Sequence, residues 1–194
     1  MTMTDMLLTL VSTALISNFV LQMPLAADPV LASPVDPHRR VHALGVATTL
    51  LMVLSSFLGY LLHHYLLQPV ALTSLRLFVF LPATILLIQP LLNLLPHLLP
   101  KLSFDGLWLL LLGNAGVLGV VLIGTQDDKG LGQMMALSLG AGLGFWLVLS
   151  LFSDLRQRIA ANDIPLPFRG LPVELISAGL MAVAFLGFNA MIKP

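Results

Sequence analysis

The chain is 194 residues long, 58% hydrophobic and 9% charged, with no net charge and no cysteine. A soluble domain carries about 25% charged residues, so this chain lacks the polar groups to cover a water-facing surface, and its mean hydropathy of +0.98 agrees. Zero net charge gives no basis for a nucleic-acid partner or a polybasic membrane patch. The absence of cysteine excludes disulfides, thiolate nucleophiles and an iron–sulfur cluster ligated by cysteines of this chain alone.

These properties predict an all-α integral membrane protein whose first partner is the lipid bilayer. A helix needs roughly 20 apolar residues to cross about 30 Å of hydrocarbon, and six stretches qualify. The first spans 5–26. Met1 to Asp5 carry no positive charge ahead of it, which predicts a retained membrane helix rather than a cleaved signal. It contains Asn18 and, four residues on and on the same face, Gln22. Pro24, Asp28, Pro29, Pro34 and Pro37 then end it. The second, 41–62, stops at His63 and His64, where amphipathic rings including Tyr60 and Tyr65 prefer the membrane interface. A metal role there lacks a third ligand nearby in sequence. The third, 74–95, includes Pro82 and Pro90, which predicts kinks. The fourth, 106–125, holds Gly113, Asn114, Gly116 and Gly119. The fifth, 131–153, has Gly140 and Gly144 in a GxxxG spacing that suits close helix packing. The sixth spans 172–192. Trp108 and Trp146 are read as packing or interface residues.

An asparagine in lipid is unfavourable unless paired, and glycine weakens a helix interior. Asn18 and Asn114 therefore predict breaks in helices one and four, the pattern of discontinuous helices that meet near the membrane midplane. Two roles stay open for Asn18, Gln22 and Asn114: capping or interhelical hydrogen bonding, and contact with an ion or cofactor at a midplane site. Leu44-Gly45, Val53-Leu54-Ser55 and Phe57 recur at the same intervals as Leu139-Gly140, Val148-Leu149-Ser150 and Phe152. Residues 1–97 and 98–194 thus read as two three-helix repeats within one membrane domain. Because three is odd, the repeats run through the bilayer in opposite senses, with a site between them.

The loops after helices one, three and five carry Arg39, Arg40, Lys101, Arg156, Arg158 and Arg169, against Arg76, Lys129 and Lys193 on the other side. The positive-inside bias places the first group in the cytoplasm and both termini on the periplasmic side of a bacterial inner membrane. The charged loop from Asp154 to Gly170 ends in a Pro-rich, Phe-bearing tip, and Phe168 and Arg169 are candidate docking residues for a soluble partner. No phosphate-cradling loop, HExxH or hydrolase-type GxSxG is present, so nothing points to a self-contained active site.

Several segments carry a family resemblance. Ser17-Asn18-Phe19-Val20-Leu21, Ala43 to Thr49, Asn114 to Gly119 and above all Ile164-Pro165-Leu166-Pro167-Phe168-Arg169-Gly170 resemble the membrane subunits of the Rnf and Na⁺-translocating quinone reductase (Nqr) complexes, of the RnfA/NqrE type. Leu175 to Met181 and Ala184 to Phe188 extend the likeness. The resemblance implies six helices in two inverted three-helix repeats. It also implies a homologous membrane subunit of opposite topology, other Rnf/Nqr-like subunits, and electron transfer coupled to ion movement. Family members hold a [2Fe–2S] cluster between the two subunits, with one cysteine after the first helix and one in the fourth-helix break. Here those positions fall on Asp28 and Ala115. Aspartate is a hard oxygen donor and alanine is no ligand, so the cluster is predicted absent and the site degenerate. From another class, a non-redox transporter-like or scaffold protein built on the same inverted repeat is the alternative.

Overall fold

A computed structural model describes residues 3–16, 38–70, 73–126, 130–160 and 162–192. Every regular element among them is helical. In chain order they are α1 (Met3–Val11), continued by a π-helical turn at Ser12–Ile16, α2 (His38–Leu62) with a π-helical extension at His63–Leu67, and α3 (Arg76–Leu98). Then follow α4 (Trp108–Leu112), α5 (Ala115–Gln126), α6 (Leu131–Ala160) and α7 (Leu171–Ile192). Four segments are long and apolar enough to cross a membrane: Arg40–Leu67, Thr73–Leu98, Trp108–Gln126 and Leu131–Ile159. Leu171–Phe185 is a shorter apolar helix. Described helices overlie the second to sixth predicted segments, and the first is described as far as Ile16, so the all-α membrane architecture holds.

Helices α2 and α6 form the most extensive pair and the centre of the molecule. Leu44, Leu51, Met52, Phe145, Val148, Leu149 and Phe152 fill the seam, and Val120 of α5 joins the same core. These two helices carry the recurring segments Leu44 to Phe57 and Leu139 to Phe152. Glycine brings their backbones together. A Cβ on Gly142 would lie 2.7 Å from the Cα of Thr49, and one on Gly45 would overlap the Trp146 ring. Gly140 serves the other face of α6, where a Cβ would meet the Leu10 carbonyl at 2.6 Å. The GxxxG glycine thus packs α6 against α1, as its spacing suggests. Two buried hydroxyls meet the need for internal hydrogen bonding in lipid within their own helices: Thr49 donates to the Gly45 carbonyl at 2.8 Å and Thr125 to that of Val121 at 2.9 Å.

Two boundaries differ from the sequence reading. Helix α6 runs on to Ala160, because the charged turns after residue 153 continue the helix beyond the apolar stretch. Helix α3 extends to Leu98 and contains Pro96 as well as Pro82 and Pro90. The two histidines also differ. His63 is buried, whereas His64 is exposed, stacked on Tyr60 at 5.9 Å and edge-on to Tyr65 at 5.2 Å. Successive helical residues point about 100° apart, so only one of the pair can face outward.

Candidate functional site

The fourth span is discontinuous where the glycine and asparagine fall. Helix α4 ends at Leu112, and the Gly113 N–H closes back on the Leu109 carbonyl at 3.0 Å. The Asn114 N–H reaches the Leu111 carbonyl at 3.3 Å. The chain restarts as α5 with Asn114 as its cap: Asn114 Oδ1 accepts from the Gly116 N–H at 3.0 Å, and its carbonyl accepts from Val117 at 3.2 Å. Asparagine is among the strongest N-cap residues because its side-chain oxygen satisfies one orphan N–H of the new helix.

That cap leaves the other end of the amide unused. Asn114 is 4% exposed, and its Nδ2 has no hydrogen-bond partner among the described residues. An unpaired buried amide donor is unfavourable by about 1–3 kcal/mol, so the position is chemically poised. Beside it lies a cavity of about 250 Å³. Leu51 of α2, Ile85 and Ile88 of α3, and Gly113, Asn114 and Ala115 of the break contribute to its walls. Its lining is mostly apolar. Thr84, the other polar side chain in that lining, donates to the Leu81 carbonyl at 2.8 Å. The C-terminal end of α4 and the N-terminal end of α5 both meet at this point, which brings opposite partial charges together inside the span.

Ala115 is exposed on the cavity side of the break. Its methyl group has no lone pair to offer a metal, and the whole chain lacks thiols. Among the described residues, no three His, Asp or Glu side chains gather as a metal site. Among the described residues, the break offers no thiolate to an iron–sulfur cluster. Asn18, Gln22 and Asp28 lie outside the described residues, so Asn114 and Ala115 are the members of the predicted set that can be placed at the break.

The predicted docking residues form a second, separate region. Leu166–Phe168 is a single 3₁₀ turn, and Gly170, with φ of +80°, takes the left-handed conformation that starts α7. Phe168 and Arg169 are exposed, with Arg169 Nε donating to the Ile164 carbonyl at 3.2 Å. A cavity of about 450 Å³ lies beneath the loop, between Arg156, Ile159, Asn162, Arg169 and Glu174. Arg156 and Glu174 form an ion pair of 2.8 Å that ties α6 to α7, and the Arg156 guanidinium also lies 5.9 Å from the Phe152 ring centroid.

Sequence reasoning missed that ion pair, although Glu174 is the one charged residue of α7 and therefore called for a partner. It also missed the bond from Trp146 Nε1 to His42 Nδ1, 3.0 Å long and 104 residues apart in sequence. Trp146 packs as read, with its polar end satisfied across the α2–α6 seam.

A family model described as "Rnf-Nqr subunit, membrane protein" matches residues 6–192. Among curated relatives, an ion-translocating oxidoreductase complex subunit of Thioalkalivibrio sulfidiphilus is 38% identical, covering 98% of this chain and 100% of its own length. The proteins of the same name from Tolumonas auensis, at 38%, and a Shewanella species, at 39%, match over the same shares of both chains.

Proposed function

The chain belongs to the Rnf-Nqr family of membrane subunits, and from that premise we propose that it works as a membrane subunit of an ion-translocating oxidoreductase complex whose [2Fe–2S] site is degenerate in this member. The observation that carries the proposal is the fourth-span break itself. It keeps a discontinuous helix with an exposed position 115, but that position holds a methyl group. The relatives named above are subunits of such complexes and match this chain over their full length. A homologous membrane subunit of opposite topology would face this break, with other Rnf/Nqr-like subunits around the pair. Both termini would lie on the periplasmic side of the bacterial inner membrane, by the distribution of Lys and Arg.

On this reading the chain contributes a scaffold and a polar midplane site rather than a redox centre. Asn114, which lines the cavity and whose Nδ2 is buried without a partner, would be the donor there, with Asn18 and Gln22 as its counterparts in the first repeat. Phe168 and Arg169 would meet a soluble partner at the cytoplasmic face.

The test is to purify the chain with its natural partners, quantify iron and record electron paramagnetic resonance with and without this subunit. The expected result is ion translocation with no [2Fe–2S] signal that depends on this chain. A reducible signal lost when the subunit is omitted would overturn the degenerate site. For the midplane role, Asn114→Ala is expected to impair ion movement in an assembled complex; unchanged movement would refute it.

A further inference from the structure

Helix α3 sits at the edge of the chain: 17% of its most apolar window is buried, against 61% for that of α6. Its buried residues Phe80, Ile88, Leu91 and Leu95 form one stripe toward the core. Pro82, Leu86, Gln89, Pro90, Asn93 and His97 are exposed, and at 3.6 residues per turn they share a sector of roughly 100° on the opposite face. That face is polar in the middle of a membrane span. Gln89 Nε2 donates to Asn93 Oδ1 at 3.4 Å, and His97 Nδ1 bonds the Asn93 carbonyl at 3.0 Å. Gln89 Oε1 and Asn93 Nδ2 have no other partner among the described residues. Pro90 has no N–H to give the Leu86 carbonyl, which opens a backbone acceptor on the same face.

Depth makes this arrangement consequential. The span Thr73–Leu98 has 26 residues, about 39 Å at 1.5 Å per residue. Gln89 and Asn93 lie about 5 and 11 Å from its midpoint, inside the roughly 15 Å half-thickness of the hydrocarbon. His97, at about 17 Å, reaches the interface. Lipid tails satisfy neither amide, and polar side chains at that depth face protein or a water-filled space.

We propose that the Leu86–Gln89–Asn93–His97 face is a docking surface for a transmembrane helix of a different membrane subunit of the complex. That helix brings a donor to the Leu86 carbonyl and Gln89 Oε1, and an acceptor to Asn93 Nδ2. The inference rests on the complex membership proposed above, which makes a second membrane subunit the occupant. Glutamine and asparagine act as interhelical glue in such contacts. The face points away from the chain's own core, so covering it requires no rearrangement of α2, α5 or α6.

The experiment uses the full chain in its native complex. A photo-crosslinking benzoylphenylalanine at position 93 is expected to label one other integral membrane subunit. Gln89→Leu combined with Asn93→Leu is expected to weaken retention of that subunit about tenfold, from the loss of the two interhelical hydrogen bonds made by the side chains. The isolated double variant should melt no lower than the parent in detergent, since both changes sit on an exposed face. Labelling of lipid alone, labelling of a second copy of this chain, or unchanged retention would overturn the docking surface while leaving the complex intact. If the unaltered chain retains no other subunit, complex membership itself fails, and the docking surface fails with it.

Discussion

Gly142→Ala tests how tightly the central seam is closed. The new Cβ would stand 2.7 Å from both the Cα and Cγ2 of Thr49 and 2.9 Å from its Cβ, where ordinary contact begins at 3.4 Å. Two of those atoms belong to or adjoin backbone, so no rotamer change relieves the clash, and α2 must move away from α6 by about 0.7 Å. The same seam holds Gly45 against Trp146 and the large buried side chains Phe145 and Phe152, which resist such a shift. Overpacking of this kind destabilises by about 1–3 kcal/mol. Alanine also gains about 1 kcal/mol of helix propensity over glycine, so the clean comparison is Gly179→Ala, where a Cβ meets nothing within 4 Å. Propensity cancels between the two variants and leaves a difference of about 1–3 kcal/mol in favour of Gly179→Ala. Thermal unfolding in detergent, followed by circular dichroism, measures it. Equal melting of the two variants would refute the account of the seam as closed by glycine.

Arg156→Ala should destabilise the α6–α7 junction by about 1–3 kcal/mol, because Glu174 then keeps a largely buried carboxylate without its charged partner; faster protease cleavage in the 162–170 loop reads it, and unchanged cleavage would count against the ion pair as the tie. His42→Phe keeps a ring in the seam but leaves Trp146 Nε1 without its acceptor, at a cost of about 1–3 kcal/mol. Its melting temperature in detergent should fall below that of the parent. Asp28→Cys with Ala115→Cys puts thiolates at the two positions that the resemblance assigns to cluster ligands. Purified with its partners from iron-replete cells, that double variant should gain iron and a [2Fe–2S] resonance signal absent from the parent complex. No gain would mean that more than the two thiolates separates this chain from a cluster-binding member.

The apolar runs and their proline and glycine punctuation made the helices legible, because crossing a bilayer demands long uninterrupted hydrophobic segments. The break at Gly113 and Asn114 was equally legible, since an N-cap residue after a glycine in an apolar run has a local cause. Pairings between distant residues were not. Nothing near Gly142 in sequence marks Thr49 as its neighbour, and GxxxG spacing drew attention to Gly140, which packs against α1 instead. The amides Gln89 and Asn93 were overlooked because an apolar average over α3 hides two polar residues that share a face. His63 and His64 looked alike in sequence and differ in the fold because the helix turns one inward.

The cap at Asn114 bears on what holds the helix break in place. Oδ1 satisfies the Gly116 N–H, the main-chain carbonyl takes that of Val117, and Gly113 closes the preceding helix on Leu109. Each of these bonds is made within residues 109–117, and none needs a thiolate or an ion. The break is therefore held by its own backbone chemistry. The side chain at position 115 takes no part in these bonds, so its identity does not decide the discontinuity. A site of this construction keeps its geometry whatever side chain stands at position 115.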